Sequence, residues 1–161
     1  MEDDSLVIET NVTIVANGKS DHASIECELS CLDVLEKCAQ LSLVLDESGL
    51  IMEEYSRHLS HAGSPGVGDM FFKYLHDHQY SDDNIKLVTI RPSSNSQKSF
   101  DELPENSLYV SDRKFLATAV VAQASIVNAT DSDWTENQDL LDGLGVTIHQ
   151  LCPQHASKVL S

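Results

Sequence analysis

Acidic and amide side chains in this sequence stand where apolar runs end or begin. Glu9, Thr10 and Asn11 close the run Leu6 to Val12, and Asp46 follows Leu41 to Leu45. Glu53 and Glu54 come one helical segment later, and Asp112 opens the stretch SDRKFLATAVVAQ. Asn128, Asp131 and Asp133 trail the short run that starts at Ser125. Carboxylates drawn into one cleft repel each other strongly and call for protons or a cation. Hard oxygen donors of this kind suit Mg²⁺ or Mn²⁺. Taken singly, Asp112 reads as a complement to a helix dipole and Asp131 and Asp133 as turn residues. Glu9 inside an apolar run is harder to explain that way, because an unpaired buried carboxylate is costly.

The elements that must position these groups follow from hydrophobic period. Leu6 to Val12, Leu41 to Leu45, Ile85 to Ile90, Ser125 to Asn128 and Val146 to Leu151 are short apolar runs and predict five strands. Helical spacing is expected over Ala23 to Ala39, with Ile25, Leu29, Leu32, Leu35 and three cysteines on one side. Further helices are expected over Gly49 to Leu59, Asp69 to His78, Ser111 to Gln123 and Thr135 to Leu144, with Ser111 as an N-cap. Pro92 to Asn106 is polar and predicts a long surface loop. Strands and helices alternate, and the strands are continuous rather than alternating in polarity. The pattern therefore predicts an α/β fold with one parallel sheet of about five strands, covered by helices on both faces, as a single domain over 1–161. In such a sheet, sites form beyond the C-terminal ends of the strands, where the acidic groups above would stand.

Bulk properties limit the function. The formal net charge is −16, which opposes binding of nucleic acid over the general surface, where phosphates need Lys and Arg. Contact with a polyanion would need metal ions, a local basic patch or a basic partner. No apolar run is long enough to span a membrane, and the acidic start Met1-Glu2-Asp3-Asp4 is unlike a signal peptide. The four cysteines include no CxxC pair and read as reduced, mostly buried thiols of a cytoplasmic protein, with a metal or redox site as the alternative. His76 and His78, with His58 and His61, read as surface residues rather than zinc ligands, since an i,i+2 pair does not share a helix face. GSPGVG lacks the Lys-Ser/Thr of a P-loop and reads as a helix–helix turn. A receiver-like phosphoacceptor domain is set aside, because the third run ends Ile90-Arg91-Pro92 without an Asp and the fifth ends Leu151-Cys152-Pro153 without a Lys.

Several motifs carry a family resemblance. VIETNV resembles the first-strand motif of PIN-like domains, usually Asp-Thr-Asn-Val. SDRKFLATAV resembles the helix opened by that family's third acid. IVNATDSDW resembles its fourth motif, with Trp134 in the aromatic place, and GVTIHQL resembles its last strand. The resemblance spans nearly the whole chain and is to small bacterial stand-alone, toxin-like PIN proteins. It implies a three-layer fold and a divalent-metal-dependent nuclease, with Glu9, Glu54, Asp112 and Asp131 as the acidic positions and Asp133 beside the metal. Thr10 and Asn11 would orient the first acid and its water, and Lys114 would contact phosphate, with Arg57, Lys73 and Arg113 as further candidates. Glu9 stands where the family usually has Asp, and Glu53 competes with Glu54 for the second place.

The resemblance implies metal-assisted hydrolysis of phosphodiesters, with RNA favoured over DNA. It also implies a cognate protein partner such as an antitoxin, or a homodimer. The alternative is a PIN-like domain that has lost catalysis and serves as an interaction or regulatory module.

Overall fold

The computed structural model describes residues 5–62 and 66–153. Five strands, β1 (Ser5–Ile8), β2 (Ser42–Asp46), β3 (Ile85–Val88), β4 (Ser125–Asn128) and β5 (Ile148–Gln150), form one sheet in the order β3-β2-β1-β4-β5. Every adjacent pair is parallel, as the continuous apolar runs predict. Successive strand residues face opposite sides, yet Leu6, Val7 and Ile8 are all buried, as are Leu43, Val44 and Leu45. Both faces of the sheet centre are therefore covered, in the three-layer arrangement expected.

Helices α1 (Thr10–Ala16), α2 (Ile25–Glu36), α3 (Leu50–Ser56), α4 (Val67–His78), α5 (Arg113–Ala122), α6 (Asp133–Glu136) and α7 (Gln138–Leu144) supply that cover. Their apolar residues join the strands in one continuous core around Tyr55, Phe71, Phe115 and Trp134. The strand order reverses direction beside β1, which has β2 on one side and β4 on the other. This is the switch point at which a crevice opens beyond the C-terminal strand ends.

Several expectations need correction. The first strand stops at Ile8, and Thr10–Ala16 is a helix although it is rich in β-branched residues. Glu9 caps this helix, and Thr10, Val12, Thr13, Val15 and Ala16 bury its inner side, so packing overrides strand propensity. On α2 the cysteine face is turned inward with Val34 and Leu35, whereas Ile25 and Leu29 are exposed. Ser111 does not cap α5. Val110–Asp112 forms a 3₁₀ turn, and α5 starts at Arg113 without a side-chain cap bond. The helix expected over Thr135 to Leu144 is broken at Asn137 into α6 and α7.

Cys27 and Cys152 form a disulfide across 125 residues of sequence. This corrects the expectation of four reduced thiols; Cys31 and Cys38 are free and buried as expected. Of the expected turn GSPGVG (63–68), residues 63–65 lie outside the described residues, as does the acidic start 1–4, and Val67 and Gly68 already belong to α4. Among the described residues no helix is long and apolar enough to cross a membrane.

The loop 92–106 is tied down from within. Buried Arg113 donates to the carbonyls of Leu108 and Ser96, both at 2.9 Å, to Ser99 Oγ at 3.1 Å and to Asn106 O at 3.3 Å. Arg113 is thus a structural clasp rather than a phosphate ligand.

Candidate metal centre

Three carboxylates meet at the switch point. Glu9 leaves β1, Asp131 leaves β4, and Asp112 precedes α5. One oxygen from each lies within 4.8 Å of the others. The topology explains the meeting. β1 and β4 are neighbours in register, with Ile8 opposite Val127, so the residues that follow them leave the sheet side by side. Asp112 arrives from the helix that packs on β1, β2 and β4.

Local bonds orient each acid. Glu9 is buried, and its Oε1 accepts from Thr10 N at 2.7 Å as it caps α1. Its Oε2 accepts from Trp134 Nε1 at 3.1 Å. Asp112 is also buried, and because it makes no cap bond its carboxyl is left to Glu9 and Asp131. Asp131 Oδ1 accepts from Asp133 N at 2.9 Å. The loop that carries Asp131 is shaped by amides. Asn11 Nδ2 donates to Asn128 Oδ1 at 2.8 Å, and Asn11 Oδ1 accepts from Ala129 N at 2.8 Å. Asn128 Nδ2 in turn donates to Asp131 O at 2.9 Å and to Gln150 Oε1 at 2.7 Å.

The electrostatics follow from this crowding. Burial raises the Glu9 carboxyl to about 7, against the bonds from Asp112 and Trp134 and helped by the charges of Glu54 and Asp131. Burial, then the charge of Glu9, raises Asp112 to about 10. Groups held this far above the carboxylate range are the mark of a site that wants a proton or a cation. The donor set is all carboxylate oxygen, which fits a hard divalent ion such as Mg²⁺ or Mn²⁺.

Other expected residues fall into place around this trio. Glu54, not Glu53, faces inward. It pairs with Lys114 Nζ at 2.6 Å and accepts from the Thr10 hydroxyl. Glu53 points to solvent and pairs with Arg57 at 2.8 Å. Glu54 is thus near the trio without belonging to it. Asp133 lines the cleft, but its Oδ2 accepts from Tyr109 N at 2.9 Å, and it too stands outside the trio. Thr10 donates to Glu9 through its backbone N–H, while Asn11 holds the β4 exit loop. Lys114 is the basic residue of the site; Lys73 is paired on the surface with Asp77. Asp46, at the end of β2, caps α3 by accepting from Leu50 N at 2.8 Å and Ile51 N at 2.9 Å.

A cleft of about 400 Å³ opens onto Asp112 and Asp131 of the trio and is walled also by Tyr109, Asp133 and Glu136. Two side chains around the trio carry no functional signal in the sequence. Trp134 was legible only as an aromatic, although a buried indole N–H usually finds an acceptor. Tyr109, 71% exposed at the rim, gave no signal in sequence. No histidine joins a cation-holding group among the described residues; His61 stacks on His76 at 5.1 Å instead. Comparison of the chain with protein-family models, with curated proteins and with solved structures found no match.

Proposed function

We propose that this chain is a divalent-metal-dependent nuclease of PIN-like type that hydrolyses phosphodiester bonds, with RNA as the favoured substrate. The observation that carries the reading is the convergence of Glu9, Asp112 and Asp131, from three distant parts of the sequence, to within 4.8 Å. Buried carboxylates at this spacing repel, and among the described residues the nearby ammonium, Lys114, is committed to Glu54.

Glu9, Asp112 and Asp131 would hold Mg²⁺ or Mn²⁺, which when bound supplies charge to grip a phosphate and acidifies a water. Thr10 N and Trp134 Nε1 fix the Glu9 carboxylate, so that its longer arm is held in one orientation despite the extra methylene. Lys114, paired with Glu54, stands at the edge of the site, and the exposed Tyr109 ring offers a face on which an unpaired base can stack. The ion would also offset the repulsion between a chain of net charge −16 and a polyanion.

One observation favours the second reading, a degenerate interaction module: both Glu9 oxygens already accept a hydrogen bond. The test is cleavage of labelled single-stranded RNA and DNA with Mn²⁺, comparing the native chain with Asp131→Asn. Cutting that needs the ion and is lost in the variant supports the nuclease. Binding of Mn²⁺ without cutting supports the module.

A further inference from the structure

A second group on the molecule is chemically opposite to the first. Cys27 and Cys31 lie one turn apart on the inward face of α2, and Cys152 comes in from beyond β5. All three are buried, and their sulfurs lie within 4.8 Å of one another. A disulfide needs only two of them. We propose that Cys27, Cys31 and Cys152 form a thiolate site for a soft d¹⁰ cation of the Zn²⁺ type, closed by the Cys27–Cys152 disulfide and opened by its reduction.

The geometry asks for little movement. Zn–S bonds of about 2.3 Å place the sulfurs of a tetrahedral or trigonal site about 4 Å apart. Breaking one S–S bond lets Cys27 and Cys152 relax toward that spacing while Cys31 already stands beside them. Thiolates select Zn²⁺ or Cu(I) and disfavour Mg²⁺ and Mn²⁺, so this group and the carboxylate trio would not compete for one ion.

The chemistry balances with an external dithiol. That dithiol transfers two electrons and two protons, its own sulfurs join as a disulfide, and Cys27 and Cys152 become thiols. Zn²⁺ then takes the places of the three thiol protons, which pass to solvent, leaving a site of charge about −1 with Zn²⁺. In either state the start of α2 is fastened to the segment after β5, by a covalent bond or through the ion. The fastening would survive a change of redox conditions.

The test uses the full chain, reduced with a phosphine and titrated with Co²⁺ and then Zn²⁺. The expected result is one equivalent of Co²⁺ with sulfur-to-metal charge-transfer absorption, displaced by Zn²⁺, and no such band from the oxidised protein. Losing an outer-shell partner already costs about 10–100-fold in affinity, so Cys31→Ala should weaken Zn²⁺ binding by more than about 100-fold. Cys38→Ala should leave it unchanged. If the reduced protein gives no charge-transfer band, or Cys31→Ala binds as tightly as the native chain, Cys31 is only a core residue and the proposal is overturned. Should reduction unfold the chain, Zn²⁺ must restore its far-UV circular dichroism, and failure to do so also overturns it.

Discussion

Removing divalent ions should make this protein less stable as pH rises from 5 to 8. Glu9 has a folded-state value of about 7 against 4.5 for an unperturbed carboxyl. The unfolded chain therefore gives up this proton first. Stability from Glu9 is complete below pH 4.5 and is lost as pH climbs through 7. Between pH 5 and 7 that is about two units at about 1.4 kcal/mol each, or roughly 3 kcal/mol. For a chain of this size it corresponds to a fall of roughly 10 °C in Tm. Asp112, raised to about 10, adds to the loss in the same direction across the whole window. Asp77 and Asp82 are shifted downward, so their contributions change at acid pH, outside the window. The assay is thermal unfolding in a chelator at half-unit steps of pH, repeated with Mn²⁺. The ion replaces the protons held by Glu9 and Asp112, so its stabilising shift should be larger at pH 8 than at pH 6. A metal-free Tm that is flat or rising from pH 5 to 8 would refute the account of a strained carboxylate trio. So would an Mn²⁺ shift that is independent of pH.

Other outcomes follow from single bonds. Asp112→Asn imitates the protonated acid but holds no proton that the unfolded chain would give up, so it should raise metal-free stability at pH 7, flatten the fall with pH and abolish the Mn²⁺ shift, as read by calorimetry. Trp134→Phe keeps a ring in the core but removes the donor at 3.1 Å from Glu9. It should cost about 1.5–3 kcal/mol at pH 8, and less at pH 5 where Glu9 is neutral, measured by denaturant unfolding. Glu53→Gln should alter stability by no more than about 1 kcal/mol, because its pair with Arg57 is on the surface. Glu54→Gln should lower Mn²⁺-dependent cutting while Glu53→Gln leaves it intact. Arg113→Met removes a clasp of four hydrogen bonds and should cost at least about 3 kcal/mol, with faster amide exchange over 93–106.

The strands were legible because buried parallel strands need unbroken apolar runs, and β4 appears at its expected bounds, Ser125–Asn128. Glu9, Asp112 and Asp131 were legible as acids at element boundaries, since α/β connectivity sends strand ends to one edge of the sheet. Local pattern misjudged Thr10–Val12, the first turn of α1, where β-branched residues speak for a strand and only packing against α2 and α4 makes a helix. It could not choose between Glu53 and Glu54, because adjacent helix positions differ by about 100° and the core alone decides which one turns inward. Nor could spacing show that Cys27 and Cys31 would meet Cys152, 125 residues beyond Cys27. Composition and period depend on neighbours along the chain. The partners of Glu9, the pairing of Glu54 with Lys114 and the cysteine cluster depend on contacts that exist only once the sheet has assembled.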